Sequence, residues 1–296
     1  MIAPARVEAI RAWSLVAPLY ALLAAVIALP EIVALALSFT DYAIGQPMRG
    51  VGLANYVRTL SAPEFWAAAL RTLIFVAIAV TLEVSVGLLL ACLLVRRIRG
   101  RAALIACLIA PIGVSHAVTA ATWAYLLDFN VGPVNYLTDL MGLGRFQWLS
   151  SAASALVVVA LIEFWAGAPH ALVMLYPVRA SFPRDIYEAG EIDGASPWQR
   201  FRFITWPLIR PAVLVAAIFR IIITMRAFGI VWILTKGGPV DASEILSIHL
   251  YKVGFVYWEF GRAAAIAGLM LLLTAVVSSW AMARLYREMF TARTQT

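Results

Sequence analysis

Residues 152–178 read AASALVVVALIEFWAGAPHALVMLYPV, an apolar run that contains one glutamate and no lysine or arginine. A helix needs roughly 20 apolar residues to cross the hydrocarbon core of a bilayer, so this run is long enough to span a membrane. Gly167 and Pro169 loosen such a helix, as is common in spans that line a cavity. The stretch therefore predicts a transmembrane helix.

The rest of the chain repeats this pattern. Its 296 residues are 63% hydrophobic and 13% charged, whereas soluble domains are about half apolar and a quarter charged. At about 25 residues, the first apolar run is too long for the apolar region of a signal peptide, so we expect it to remain as a helix. Six runs long enough to span a membrane are present, at residues 15–39, 72–95, 102–127, 152–178, 212–234 and 263–285.

These runs predict an all-α integral membrane protein with six transmembrane helices and one membrane domain at residues 15–286. The arginines and lysines lie about two to one in favour of the segments that are inside when the N-terminus is inside. This bias predicts cytoplasmic termini at residues 1–14 and 287–296. The net charge of +7 is therefore mainly a topology signal, with the anionic headgroups of the bilayer rather than nucleic acid as its partner.

A polar segment at residues 179–210 follows the quoted run and reads RASFPRDIYEAGEIDGASPWQRFRFITWPLIR. Pro183 suits the first turn of a short helix, and the acidic Asp185 and Glu188 favour the positive end of its dipole. Asp193 and Gly194 have the chemistry of a turn. The first half of the segment therefore predicts a short helix that ends in a tight turn.

The second half of the segment predicts another short helix. Ser196, Pro197 and Gln199 match a capping box with proline in the first helical position. The apolar side chains after it recur every three residues and form one face, and Pro207 and Pro211 are expected to end the pattern before the next span. The hairpin has two open interpretations: it lies on the inner membrane surface, or it docks into a groove of a soluble partner.

Ionisable residues inside a predicted span are costly unless they face a partner or a watery cavity. In the fourth span Glu163, Gly167 and His170 follow at i, i+4 and i+7, which places them on one helical face. We assign Glu31 and Glu83 to an interface or to the lipid edge. The complete set comprises Glu31, Glu83, His116, Glu163, His170, Arg220 and Arg226.

The fifth span carries a similar face. Arg220, Thr224 and Ala227 repeat the spacing of the first triplet, while Arg226 lies on a different face and is a candidate for contact with another subunit. Two arginines in one span lead to the hypothesis of an anionic solute, such as a sugar phosphate or a sulfonate.

Two interpretations of these faces stay open. In the first, both line a path for a solute. In the second, Glu163 and Arg220 form a buried ion pair that joins two helices, and His116 and His170 are hydrogen bonded to backbone carbonyls.

The polar segment resembles the EAA motif of ABC importer permeases, in which Glu-Ala-Ala is followed by a glycine and then by Ile-x-Leu-Pro. This sequence departs from the motif twice, with Gly190 in place of the second alanine and Trp206 in place of the leucine. Neither departure removes the acidic residue or the turn glycine. The matching positions are Glu188, Ala189, Gly190, Gly194, Ile204 and Pro207.

Further landmarks narrow the resemblance to the maltose-type, binding-protein-dependent carbohydrate permeases. They are VGLANY at residues 51–56, PEFWAAALRTL at 63–73, Pro111, and ILTKGGP at 233–239, and they cover most of the chain. Arg71 stands where relatives often carry asparagine.

The resemblance implies a set of partners for this chain. They are a second homologous permease subunit, two ATP-binding subunits and an external or periplasmic solute-binding protein, in a bacterial-type inner membrane. The carried substrate would be a sugar, a polyol or a sugar phosphate. ATP and Mg would lie on the partner ATPase, since Lys236 and Lys252 lack the setting of a phosphate-binding loop.

The resemblance also implies roles for residues of this sequence, with no catalytic or metal-binding residue among them. The residues that would couple the chain to the ATPase are Glu188, Ala189, Gly190, Asp193, Gly194, Trp198, Phe201 and Pro207. Those that would line the substrate path are His116, Glu163, Gly167, His170, Arg220, Thr224 and Ala227.

Two other function classes make different demands. An ion-coupled secondary transporter of a small polar solute would work without ATPase chains. A zinc-dependent membrane enzyme would need a His-Glu-x-x-His arrangement, whereas Glu163 and His170 are seven residues apart.

Overall fold

A computed structural model describes residues 4–96 and 98–291, with side chains described at 13–96 and 98–284. The ends of the two predicted terminal segments, residues 1–3 and 292–296, lie outside the described residues. Between these limits the chain is helical, and its pairing of extended backbone is confined to two isolated bridges, Thr40 with Gly50 and Ala43 with Glu259. The predicted all-α class is confirmed.

Fourteen α-helices occur in the described part of the chain, and short π-helical turns or a 3₁₀ turn continue several of them. The π-helical turns are Ala24–Ala28, Phe201–Thr205 and Lys252–Val256, and the 3₁₀ turn is Ala110–Gly113. The α-helices are α1 Pro4–Leu23, α2 Leu29–Ser38, α3 Ala54–Leu60, α4 Pro63–Leu94, α5 Arg101–Ile109, α6 His116–Leu126, α7 Pro133–Leu140, α8 Ala155–Ala180, α9 Asp185–Ile192, α10 Pro197–Arg200, α11 Trp206–Thr224, α12 Gly229–Thr235, α13 Leu246–Tyr251 and α14 Phe260–Thr291.

The predicted count of six spans is confirmed by the length and composition of the helices. Five segments are long and apolar enough to cross a membrane on their own, and a sixth span arises if the bent pair α5 and α6 is one span. The five segments are Trp13–Ser38, Pro63–Leu94, Ala155–Ala180, Pro197–Thr224 and Phe260–Arg284.

The third span differs from the unbroken run predicted at residues 102–127. Its two halves, Arg101–Gly113 and His116–Leu126, meet at 101°. Pro111 cannot donate a backbone hydrogen bond at the break, and the Ser115 hydroxyl accepts one from the amide of Val118, which caps a new helix. The proline and the serine cap therefore break the helix, although the apolar pattern predicted one unbroken span.

The fifth span also differs from the prediction, which placed it at residues 212–234. The helix is continuous from Pro197 to Thr224 and so includes the second helix of the hairpin. The expectation that Pro207 and Pro211 end the hairpin helix was wrong. Pro207 lies in the first turn of α11, just after the π-helical turn, where its missing amide is tolerated.

Clustering of contacts divides the chain into two units. The first comprises the described parts of residues 1–63 and 250–270. In it, the buried side chain of Asn55 donates hydrogen bonds to the carbonyls of Ser38 (2.9 Å) and Thr40 (2.7 Å). Asn55 belongs to the VGLANY landmark, so this landmark ties the end of the first span to the short helix α3.

The second unit comprises residues 64–249 and the described part of 271–296. Its apolar core lies among α4, α8 and α11, with α8 the most enclosed of the candidate spans. Fully buried side chains in this core include Phe75, Leu172, Leu175, Ile209, Met225 and Ile230. The functional candidates described next all belong to this unit.

Candidate functional site

Three helices of the second unit bring one arginine and two glutamates together. Arg220 of α11 donates from Nε to Glu83 Oε2 at 2.6 Å and from Nη2 to Glu83 Oε1 at 2.9 Å. Glu163 of α8 approaches Arg220 Nη2 at 3.7 Å. The side chains of Arg220, Glu83 and Glu163 are 3%, 0% and 7% exposed. We call Glu83, Glu163 and Arg220 the buried charge cluster.

Gly167 makes room for this cluster. A Cβ atom at position 167 would lie 2.1 Å from Glu83 Oε1 and 2.4 Å from Arg220 Nη2, so a side chain there would displace the ion pair. The glycine therefore lets the charged groups lie directly against the backbone of α8. Glycine is therefore required on the helical face that carries Glu163, because a larger residue at position 167 would collide with the cluster.

The assignment of Glu83 to an interface or to the lipid edge was wrong. Glu83 is the principal partner of Arg220 and is fully buried between helices. A carboxylate within an apolar run must find a partner, because a charge facing hydrocarbon is costly. That rule pointed to a partner for Glu83, but the sequence did not reveal which helix would supply it.

The interpretation in which Glu163 and Arg220 join two helices agrees with the distance of 3.7 Å between Glu163 Oε1 and Arg220 Nη2. Glu83 makes the closer contact with Arg220. Two carboxyl groups face one guanidinium, and the Thr224 hydroxyl completes the surroundings at 3.5 Å from Arg220 Nη2. Within the single chain these groups are enclosed by protein. A role for them in the substrate path stays a prediction.

The remaining predicted path residues lie near this cluster or at the breaks of the spans. His170 is half-buried, and its ring interacts with the backbone carbonyls of Gly167 and Ala166, although Nδ1 makes no hydrogen bond of normal geometry. His116 is exposed in the first turn of α6, against Gly229. The carbonyl of Ala227, between α11 and α12, accepts a hydrogen bond from the Ser247 hydroxyl.

The predicted hairpin is present at α9 and α10. Asp185 and Glu188 lie in the first turn of α9, which begins two residues after Pro183. Gly194 has φ +74°, a left-handed conformation that favours glycine. The capping box is formed in both directions, since the Ser196 hydroxyl accepts from the Gln199 amide and the Gln199 side chain accepts from the Ser196 amide.

Side chains hold the two helices of the hairpin against each other. The hydroxyl groups of Tyr187 and Thr205 lie 3.0 Å apart, and Arg200 forms an ion pair with Glu191. Gly190 is buried, and a Cβ at this position would lie 3.1 Å from Ile204 Cδ1. Glycine in place of the motif's second alanine therefore permits this close contact.

The outer surface of the hairpin is open. Trp198 is 69% exposed and stacks on Phe201 with ring centroids 5.6 Å apart. The other exposed coupling candidates are Glu188, Ala189, Asp193, Gly194 and Pro207. In the described chain no group of three or more His, Cys, Asp or Glu side chains is arranged to hold a metal ion.

Comparison with known proteins identifies similar sequences. The profile of the family described as binding-protein-dependent transport system inner membrane component matches residues 83–291. The trehalose/maltose transport system permease protein MalF of Thermococcus litoralis is 36% identical over 220 residues, which cover 73% of this chain and 73% of that protein. The probable ABC transporter permease protein y4oQ of Sinorhizobium fredii is 32% identical over 273 residues, 91% of this chain and 88% of that one.

A solved structure has a similar fold. It is a bacterial ABC transporter involved in the import of the acidic polysaccharide alginate, and the TM-score is 0.80. The alignment covers 95% of this chain and 99% of the other, with 20% identity. At this identity the similarity concerns the arrangement of the helices alone.

Proposed function

The chain belongs to the family of inner membrane components of binding-protein-dependent transport systems, and we propose that it forms half of the path by which an ATP-driven importer admits a sugar or sugar-like solute. Support for a sugar comes from the maltose-type landmarks and from the trehalose/maltose permease named above. A second permease would form the other half. Two ATP-binding subunits and an external solute-binding protein would complete the importer.

One observation carries the coupling role. The second helix of the hairpin and the fifth span form one continuous helical segment, Pro197–Thr224. At 1.5 Å per residue, the 22 steps from Trp198 to Arg220 correspond to about 33 Å along the axis. A displacement applied at the exposed hairpin therefore moves the helix that carries Arg220 and Thr224.

The hairpin residues take distinct roles in this proposal. Glu188 is the polar anchor on the ATPase, and Trp198 and Phe201 supply an apolar contact. Gly194 permits the turn that holds the two short helices side by side. Ala189, Gly190, Asp193 and Pro207 complete the docking surface or its internal packing.

The solute path would involve the faces of α8 and α11. The buried charge cluster holds these helices to α4. His116 and Ala227 lie beside breaks between helices, and His170 lies within α8, three residues after Gly167. Alternating access requires two arrangements of the same helices, each favoured by a different state of the ATPase. ATP and Mg would act on the partner chains, and both termini of this chain would lie in the cytoplasm of a bacterial-type cell.

The first experiment is purification of the tagged chain from gently solubilised membranes, with mass identification of its partners. We expect a second six-helix chain and an ATPase with a phosphate-binding loop. The chain alone in liposomes should then be inactive, and the recovered complex with binding protein and ATP should take up the sugar. Uptake by the chain alone, driven by a proton gradient, would instead establish an ion-coupled transporter.

The charge of the solute can be tested in the same liposomes. Uptake of a neutral disaccharide is compared with that of its phosphorylated analogue at equal concentration. A preference for the charged compound supports the anionic-solute hypothesis raised by Arg220 and Arg226. Equal or better uptake of the neutral sugar contradicts it.

A further inference from the structure

An arginine-rich cleft lies between the hairpin and the ends of two spans. Its volume is about 950 Å³, and its walls come from the end of α4, the start of α5, the end of α8 and both helices of the hairpin. The arginines that line it are Arg96, Arg101, Arg179, Arg184 and Arg200. We call this space the arginine cleft.

The positive charge of the arginine cleft is largely uncompensated. Arg200 pairs with Glu191, while the other four arginines form no ion pair with any described residue. Among the described residues of the walls, Glu188 is the one further carboxylate. Clustered arginines that face one space repel each other, so the arrangement is stabilised when an anion occupies the cleft.

A second space extends the same surface. It has a volume of about 580 Å³ and is lined by Ile98, Arg99, Arg101 and Arg184. Arg101 and Arg184 therefore line both spaces. Five arginines of the two spaces form no ion pair with a described carboxylate, so an extended anion would find them unpaired. They are Arg96, Arg99, Arg101, Arg179 and Arg184.

Arg179 is held in place for binding. Its guanidinium lies 4.4 Å from the centroid of the Tyr187 ring and 5.7 Å from that of Phe182. The Nε atom is buried and has no hydrogen-bond partner in the described chain. A buried donor without a partner is costly, and a phosphate oxygen is a suitable acceptor for it.

We propose that the arginine cleft binds a phosphate-bearing anion, and that its occupant is the headgroup of an anionic phospholipid. The cleft lies at the ends of α4 and α8, both of which are candidate membrane spans, so it is located where headgroups meet the protein. Basic pockets between transmembrane helices bind such headgroups in general. The same chemistry would also accept a soluble phosphate compound, and the tests below separate these two sources.

The first test measures lipid affinity by native mass spectrometry. The intact transporter complex is titrated with cardiolipin, and Arg184→Gln is compared with Arg202→Gln. Arg202 is an exposed residue of the same hairpin that does not line the cleft, so both variants lose one positive charge from the same region. We expect binding to weaken roughly fivefold in Arg184→Gln, and roughly 25-fold when Arg101→Gln is added. The Arg202→Gln variant should change it less than about twofold.

The second test leaves the arginines unchanged. Cys92 lines the cleft, and the chain has one other cysteine, Cys107, which is replaced by serine. Maleimide labelling of Cys92 is followed in the complex in phosphatidylcholine nanodiscs, in nanodiscs that also contain cardiolipin, and in phosphatidylcholine nanodiscs with inorganic phosphate. We expect cardiolipin to slow the labelling in a saturable way.

Each outcome bears on the proposal. Protection of Cys92 by cardiolipin alone supports a lipid headgroup, and protection by inorganic phosphate as well supports a soluble phosphate compound. Equal cardiolipin affinity in Arg184→Gln and Arg202→Gln, without protection of Cys92, overturns the site. It is also overturned if Arg184→Gln loses the ATPase during purification while its cardiolipin affinity is unchanged. The cysteine measurement decides the matter if Arg184→Gln fails to fold.

Discussion

The two ends of the helical segment Pro197–Thr224 are built in opposite ways. At one end Trp198 is 69% exposed, and the hairpin around it is held by contacts between residues close in sequence. At the other end Arg220 is 3% exposed and is held by glutamates 137 and 57 positions away along the chain. The segment thus joins a surface that is free to engage a partner to a core that resists change.

The difference has an energetic side. A buried charge that loses its partner has no water to take the partner's place, so removal of the partner lowers the stability of the whole fold. A motif of the exposed hairpin can be broken while water replaces the lost hydrogen bonds. Damage to the cluster should therefore reduce stability, and damage to the hairpin should reduce coupling in a protein that remains folded.

The largest effect is expected from Glu83→Gln, which breaks the core end. Arg220 then faces a neutral amide in place of the closer carboxylate and keeps only the longer ionic contact with Glu163, so the unfolding free energy should fall by about 3 kcal/mol. Thermal unfolding in detergent measures the change. The matched control is Glu64→Gln, an exposed glutamate in the first turn of the same helix. Equal melting of the two variants would contradict the importance of the ion pair.

A triple replacement sharpens the same prediction. In Glu83→Met with Glu163→Gln and Arg220→Met, no charged member of the cluster remains, so the triple variant should melt above Glu83→Met alone. A triple variant that melts below the single one would mean that the cluster contributes through another contact.

Gly167→Ala should have the next largest effect. The added methyl group would collide with Glu83 and Arg220, and overpacking of this kind costs about 1–3 kcal/mol. The control is Gly268→Ala, also in a helix, whose Cβ would meet Tyr56 at an ordinary 3.5 Å. The control should be neutral or slightly stabilising, because alanine favours helix. A Gly167→Ala protein as stable as the control would show that the cluster moves aside easily.

Gly194→Ala tests the hairpin end. The position has φ +74° but open space around it, so the expected cost is backbone strain of about 1–2 kcal/mol within the turn. Uptake by the complex should fall severalfold while the amount of chain in the membrane stays normal. Gly50→Ala serves as the control, because Gly50 has open space without a left-handed backbone. Unchanged uptake in Gly194→Ala would argue against docking through this turn.

The smallest effect is expected from Ser196→Ala. Loss of the cap should destabilise the start of α10 by about 1 kcal/mol and leave the melting temperature of the whole protein unchanged. Hydrogen exchange should speed up at the Gln199 amide, because this amide donates a hydrogen bond to the Ser196 hydroxyl. Ser181→Ala, which removes a hydroxyl bonded to the carbonyl of Val178 outside the hairpin, should leave this amide unaffected.

The same comparison explains what could be predicted from the sequence. The apolar runs indicated the spans, and the capping box and turn glycine indicated the hairpin, because the cause of each lies within a few adjacent residues. Glu163 was one predicted partner of Arg220, but the closer partner, Glu83, was missed because it depends on how α4 packs against α11, which no local pattern encodes. The break at Pro111 and Ser115 had a local signal, but the apolar character of the run obscured it.

The π-helical turn Phe201–Thr205 has one more consequence. Successive residues of an α-helix are rotated by about 100° around its axis, and a π-helical turn acts as one inserted residue. It therefore sets the angular phase between the Trp198 face and the Arg220 face. Removal of a single residue here would leave both ends chemically intact and rotate one against the other by about a quarter of a revolution.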